Sequence, residues 1–415
     1  MRLESNHLVV LVSAYACEPF KGSEPGVGWN FVRQICKFSR EVWVVTRANN
    51  EDVIKAALEC SPVSNVRFVY VDLPRWLSFW KRGSRRVHLY YYLWQFYAYY
   101  RVTKILKQKR FDIAHHVTLG GDYLFSFLCF LNVPYVWGPV GHRTYLPARF
   151  HAYNAGLFQG DFLKQTIQSF FRKFDPLLRL TAQRAARIVL IGKEEASVKP
   201  FQYYDHKITI MPAIGIEVFS ACRKTEIVTK EVKIISAGNL IPTKGMYYAI
   251  RAAAEALRSS LVPFRYTVYG DGPEFAYLKK LVMKLGIENK VYFSGSVSHD
   301  TVLSAMREAD IFLFPSFEGG AMVLLEAMMS SLPVISLNHG IYADIVPDSC
   351  AIKIKPFEPE QTVKQLASAI NVLVESPKMR KALGMAAADF VAAYCSWDQR
   401  GRQIKKVYEV VLGAH

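Results

Sequence analysis

No stretch of this sequence is long and apolar enough to span a membrane. The longest apolar segments, such as Tyr123 to Leu131 with Ser126 inside it, fall well short of the ~20 residues a spanning helix needs. The run from Leu8 to Ala14 is likewise too short for a secretory leader, and a motif-rich loop follows it at once. The seven cysteines stand singly, an odd number with no Cys-x-x-Cys pair. That spacing argues against a disulfide framework and a cysteine-based zinc site, and for reduced thiols in the cytosol. Short-period repeats and low-complexity segments are missing too. With 51% apolar and 21% charged residues, disorder, collagen and coiled coil are excluded. The 415 residues exceed what one hydrophobic core usually serves, so two domains are expected.

Acidic residues are scarce in the first half. Residues 1–200 hold 28 Lys and Arg against 14 Asp and Glu, whereas 201–415 hold 24 against 21. The first half is therefore an anion-seeking surface and the second is nearly neutral. The bias peaks in residues 75–110, with ten Lys or Arg, eleven aromatics and no Asp or Glu. Aromatic anchors such as Trp76, Trp80 and Trp94 beside a polybasic face suit the headgroup layer of an anionic membrane. The plainer alternative is a helix packed on a sheet by its aromatics, with a solvated basic face. Aromatics among cations also suit single-stranded nucleic acid, but no RNA-binding motif accompanies them, and nucleic acid is not an expected partner.

What is present is an alternation of apolar strands and helical stretches. LVVLVSA (8–14), EVWVVT (41–46), VRFVYV (66–71), FDIAHHV (111–117), PYVW (134–137) and RIVLI (187–191) read as strands, with a helix from Val27 to Phe38. The second half repeats the plan: VKIISAG (232–238), FRYTVYG (264–270), KVYFSG (290–295), DIFLFP (310–315) and PVISL (333–337), with a helix from Lys244 to Arg258. Continuous apolar runs suit strands buried on both faces, so the fold class is α/β with two doubly wound sheets. The seam falls near Ile208 to Ser220. The expected domains are 1–215, 216–395 and an amphipathic C-terminal helix, 396–415, free to cross back to the first domain. Ligands bind at strand C-termini in such sheets, and a cleft between the two domains is the expected site.

Several loops carry candidate chemistry. FPSFEGGAMVLLEAM places Glu318 directly after a buried strand and Glu326 eight residues on, with Gly319 and Gly320 between. A helix N-terminus with glycines offers free N–H groups to an anion or to sugar oxygens. Eight positions is about two helical turns, so the two carboxylates can meet different parts of one elongated ligand. Lys244, in AGNLIPTKG, also follows a strand, where its ammonium can neutralise a diphosphate. Gly270, Asp271 and Gly272 make a tight turn. In the loop Lys21 to Gly28, the glycines Gly22, Gly26 and Gly28 permit close backbone approach, but the pattern is not a dinucleotide fingerprint. His115 and His116 end a strand, so at most one faces the cleft. Gly138, Gly141 and His142 form a further glycine loop.

From GDGPE (270–274) through VYFSG, ADIFLFPS and LLEAM to LPVI (332–335), with Glu318 and Glu326 as an E-x7-E pair, the chain resembles the retaining GT-B glycosyltransferases of family 4. SAYACEPFKGSEPGVGWN and VPYVWGPVG look like a bacterial polysaccharide-biosynthesis branch. The resemblance implies a GT-B fold, with the first domain binding acceptor and the second binding a nucleotide-diphosphate sugar, UDP or GDP. It implies transfer to a saccharide or lipid-linked acceptor in exopolysaccharide, capsule or lipopolysaccharide synthesis. Glu326 would hold the ribose, Glu318 the sugar hydroxyls and Lys244 the diphosphate. The backbone of Gly319, Gly320, Ala321 and Met322 would add anion contacts, and Gly270 and Gly272 would border the nucleotide. Gly22, Ser23, Glu24 and Gly26 would face diphosphate and acceptor, with Gly138 and Gly141 opening on the same cleft. An active-site histidine would be His116, with His115 beside it. Asn239 stands where the family has Arg in G-R-L-x-x-x-K-G. No DxD motif lies near the expected cleft, and neither metal nor cofactor is implied. The expected location is the cytoplasm, at the inner face of the membrane. Alternatives are a 2-epimerase, a phosphorylase on this fold, or a silent membrane-associated subunit.

Overall fold

The computed structural model describes residues 7–80, 87–141, 146–151, 155–219, 231–318 and 322–413, with backbone alone for 155–163, 342 and 344. The chain divides into two compact units: Met1–His142, Asp161–Gly215 and Trp397–His415 in unit 1, and Arg143–Gly160 and Ile216–Ser396 in unit 2.

Up to the start of unit 2's sheet the elements are β1 (Val9–Ser13), α1 (Ser23–Cys36), β2 (Glu41–Thr46), α2 (Glu51–Cys60), β3 (Val66–Tyr70), α3 (Arg75–Ser78), α4 (Val87–Leu106), β4 (Ile113–His116), β5 (Tyr135–Val140), α5 (Ala155–Phe174), α6 (Pro176–Arg184), β6 (Arg187–Leu190) and β7 (Ile208–Ile210). The strands form one parallel sheet in the order β3-β2-β1-β4-β5-β6-β7. Alternation along β1 splits its side chains between two cores. Val9 and Leu11 pack with Trp94 and Trp137; Val10 and Val12 pack with Phe31, Trp397 and Tyr408.

Unit 2 contains β8 (Val232–Ala237), α7 (Met246–Ser259), β9 (Phe264–Tyr269), α8 (Phe275–Leu285), β10 (Val291–Gly295), α9 (His299–Glu308), β11 (Ile311–Phe314), α10 (Met322–Met329), β12 (Val334–Leu337), α11 (Ile341–Ile345), β13 (Ala351–Ile354), α12 (Pro359–Glu375) and α13 (Pro377–Tyr394). Its parallel sheet runs β10-β9-β8-β11-β12-β13. Each sheet therefore grows both ways from its first strand. The switch points lie between β1 and β4 and between β8 and β11, where loops diverge and a crevice opens at the carboxyl edge.

The last helix, α14 (Trp397–Gly413), packs in unit 1. Ile404, Val407, Tyr408 and Val411 join the core under α1, each burial contributing about 1.5–3 kcal/mol. Gly401 permits this approach, because a Cβ there would meet Gln34. Lys37 pairs with Asp398, and Arg400 Nε donates to the Ile214 carbonyl at 3.0 Å.

Four local expectations change. Helix α1 begins at Ser23 rather than Val27, because Pro25 is tolerated in a first turn. β7 falls in the stretch read as a seam, and β13 was not expected. In residues 75–110 much of the aromatic content faces inward: Tyr90, Tyr91, Trp94, Ala98 and Val102 bury one face of α4, and Trp94 Nε1 donates to the Val71 carbonyl at 2.7 Å. Residues 81–86 lie outside the described set. Among the described residues, no helix is long and apolar enough to cross a membrane.

Candidate functional site

In unit 2 the candidate residues leave one edge of the sheet, since every pairing is parallel. After β8 the chain makes a short 3-10 turn, Pro242–Lys244, closed by Gly245 at φ 67°. Glycine is required there twice over: the backbone is left-handed, and a Cβ would run into the Pro315 carbonyl. That close approach lays the loop after β8 against the loop after β11, across the switch point. Phe317 N donates to the Thr243 carbonyl at 2.8 Å. Lys244 Nζ then lies 2.7 Å from Glu318 Oε2, and Thr243 Oγ1 donates to Oε1 at 2.5 Å. Ser316 Oγ accepts from Glu318 N at 3.1 Å. The carboxylate is thus held by a cation and a hydroxyl, and the pair keeps part of its surface in solvent.

Glu326 is buried on α10. Its Oε1 lies 2.9 Å from Nε2 of His299, an exposed side chain at the start of α9 on the loop after β10. Gly319, Gly320 and Ala321 lie outside the described residues; Met322 opens α10.

The glycines after β8 and β9 shape this edge by packing loop on loop. Gly270 has φ 136°, and a Cβ there would strike the Gly238 carbonyl; one on Gly272 would meet Leu240. Leu240 N donates to the Asp271 carbonyl at 2.9 Å. Asn239 is exposed between these contacts, and the Lys244 side chain passes over Gly238.

Unit 1 carries the second group at the corresponding edge. Gly22 and Ser23 are exposed. Gly26 and Gly28 are not open to a ligand: both are buried in α1, where a Cβ would strike the carbonyls of Lys21 and Ala16. Glu24 reaches across the switch point and accepts from Leu119 N. Ala16 N donates to Thr118 Oγ1 at 3.1 Å across the same gap. Burial raises the Glu24 carboxyl above its ordinary range, opposed by the Leu119 hydrogen bond.

The two histidines do not line an open edge. β4 is a central strand, so both of its faces are covered, and both rings are buried. His115 Nε2 donates to the Gly138 carbonyl at 2.6 Å, and Nδ1 meets the Tyr408 hydroxyl at 2.9 Å. His116 meets Tyr91 at 3.2 Å and Ser126 at 2.9 Å. Burial pushes their pKa values down to about 3 and about 4, so both are neutral at neutral pH. Gly138 likewise sits inside β5 rather than in a loop, where a Cβ would meet the Val189 carbonyl. Gly141 follows β5, and its N–H donates to the Gly120 carbonyl at 2.8 Å. His142 lies outside the described residues.

Sequence reasoning missed Thr243 and His299. Thr243 adjoins Lys244 and was findable. His299 lies 27 positions from Glu326 and carries no local signal. Among the described residues, no group of three or more His, Cys, Asp or Glu side chains converges as a metal site would.

Residues 220–390 match the family model described as glycosyl transferases group 1. The chain is 27% identical to the alpha-D-kanosaminyltransferase of Streptomyces kanamyceticus over 180 residues, 43% of this chain and 45% of the relative. It is 27% identical over 216 residues, 49% of this chain and 48% of the relative, to a Salmonella typhimurium glycosyltransferase provisionally named for colanic acid biosynthesis. The chain thus spans about half the length of these curated relatives. The structure of HepE from Anabaena, in complex with UDP and glucose, is similar with a TM-score of 0.62 at 16% identity, covering 96% of this chain and 99% of that one. With the two parallel sheets described above, that likeness makes the architecture a GT-B fold of two Rossmann-like domains.

Proposed function

We propose that this chain is a retaining, metal-independent glycosyltransferase that moves a sugar from a nucleotide-diphosphate sugar to a saccharide or lipid-linked acceptor. It works in polysaccharide synthesis at the inner face of the cell membrane. The observation that carries the reading is the Lys244–Glu318 pair, braced by Thr243 across the unit 2 switch point. A partly exposed ion pair costs on the order of 1 kcal/mol to open. An arriving diphosphate takes the ammonium, and Glu318 is released to accept hydrogen bonds from sugar hydroxyls. Glu326, oriented by His299, takes the ribose. Asn239 adds a neutral donor beside the diphosphate. The bond from the anomeric carbon to phosphate breaks while the acceptor oxygen attacks the same face, and the departing phosphate receives the acceptor proton. Catalysis is then positioning plus stabilisation of the leaving anion. The buried histidines take no part. The glycosyl transferases group 1 match, the names of the relatives, and UDP and glucose on HepE support this reading.

The test is nucleotide release from a panel of UDP-, GDP- and ADP-sugars by the full chain, with and without EDTA. Release from one donor, unaffected by chelation, is expected. A thermal-shift screen with the same panel identifies the donor. Donor binding without turnover in the presence of varied acceptors overturns the enzyme reading in favour of a silent subunit. Abolition by EDTA overturns metal independence.

A further inference from the structure

Residues 75–110 supplied the sequence-level case for a membrane surface, but α4 turns much of its aromatic content inward. What remains outside is a different surface. Leu89, Phe96 and Tyr100 are exposed on the outer face of α4, with Arg101, Lys104 and Lys107 exposed beside them. On the C-terminal half of α5, Ile167, Phe170 and Phe174 are 47%, 59% and 55% exposed. Their spacing of three and four residues puts them in one stripe along the helix. Lys164 and Lys173, both exposed, project on either side of that stripe.

The two faces are joined by rings in contact. Phe96 lies 6.0 Å from Tyr92, Tyr92 lies 6.2 Å from Phe171, Phe171 lies 6.1 Å from Phe170, and Phe170 lies 5.0 Å from Phe174. Cations frame the belt: Lys104 Nζ sits 4.4 Å from the Tyr100 ring centre and Lys173 Nζ 5.2 Å from that of Phe174. Acid is excluded from it. Residues 87–110 contain no Asp or Glu, and 164–187 contain only Asp175, which is buried, caps α6 through Leu177 N and accepts from Tyr92. Exposed rings between lysines, with no exposed carboxylate in 87–110 or 164–187, complement a surface that is negative at the level of the cations and apolar beneath them.

We infer that the outer face of α4 and the C-terminal half of α5 together form the docking surface of this chain for an anionic lipid bilayer. The proposal rests on the reading of a membrane-side transferase and names its contact surface. It gives α5, which the sequence bias of 75–110 did not include, the principal aromatic anchor.

The test is sedimentation of the full chain with phosphatidylcholine vesicles, with and without phosphatidylglycerol, at low and high salt. Salt-sensitive binding to the phosphatidylglycerol vesicles alone is expected. Lys164→Glu/Lys173→Glu should weaken it by about tenfold or more, and Phe170→Ser/Phe174→Ser should do the same. Trp76→Ser/Phe79→Ser, on the exposed rings at α3, should keep most of it. The charge-reversal pair removes no buried side chain, so it reads the surface even if the aromatic pair folds poorly. Equal binding to both vesicle types, unchanged binding by the α5 variants, or loss only in the α3 variant overturns the proposal. So does a dimer in light scattering that the α5 variants dissociate, since the belt would then face a second copy. Nucleotide release from the donor panel is measured in parallel without lipid. If it is absent in every protein while the vesicle pattern holds, the transferase reading fails and the surface stands.

Discussion

The two units share a plan and differ at its centre. Each sheet runs outward from its first strand, and each switch point is bridged by a glutamate. In unit 2 the bridge is Glu318 with Lys244, two opposite charges partly open to solvent. In unit 1 it is Glu24 with a backbone N–H, a carboxyl raised by desolvation and lying near two neutral, buried histidines. Strand order makes the same crevice twice, but the side chains decide what it can exchange. A cation and carboxylate can trade partners with a polyanion and a polyol. A carboxyl locked to the opposite loop instead sets that loop's geometry.

The largest effect expected is on unit 2's chemistry. Lys244→Ala and Glu318→Ala should each cut donor turnover by about 10²–10³, and the double variant should lose less than the sum because the residues touch. Independent, fully additive losses in a double-mutant cycle would break the contrast between the switch points. Next comes backbone strain at the same edge. Gly270→Ala should destabilise unit 2 by about 3 kcal/mol or more, since the Gly238 carbonyl occupies the Cβ position. Hydrogen exchange should place the new opening in unit 2; uniform protection loss would contradict this.

Acid separates the units next. His115 and His116 titrate near 6.5 when unfolded but fold with values of about 3 and 4. A depressed folded pKa gives stability that is present above the unfolded value and lost as pH falls toward the folded one. Each ring should cost up to about 1.4 kcal/mol per pH unit over that window. All seven tryptophans, Trp29, Trp43, Trp76, Trp80, Trp94, Trp137 and Trp397, belong to unit 1, so their fluorescence follows this unit alone. Its acid transition should precede loss of donor binding, and His115→Gln should move it to lower pH.

The smallest effect belongs to Glu24. A raised carboxyl favours folding below the ordinary carboxylate pKa and loses that contribution as pH rises through the folded value. Glu24→Gln can still accept from Leu119 N and never ionises. Its Tm should match the parent near pH 4 and exceed it by a few degrees at neutral pH. Equal differences at both pH values would remove desolvation as the cause.

Much of this was legible in the chain. Strands buried on both faces are mostly apolar, and runs such as LVVLVSA announced themselves. Glu318 and Lys244 stood out because each follows a strand, and Glu326 because it lies eight residues beyond Glu318 in the apolar run that follows. The neighbours that orient them did not, since His299 reaches Glu326 only through the fold. His115 and His116 were misread because a histidine pair at a strand end does not say whether the strand is central. Gly26, Gly28 and Gly138 were misread because a glycine needed against its own backbone looks, in sequence, like one left open for a ligand.

By itself, the sequence determined the alternation of elements, the two parallel sheets and the charge imbalance between the halves, because these depend on local periodicity and composition. Only the tertiary structure decided which faces are spent. It turned much of the aromatic content of α4 inward, left Phe170 and Phe174 of α5 outside, sent α14 to unit 1 and paired Glu318 with Lys244. Burial and ion pairing depend on residues that meet only when distant strands align.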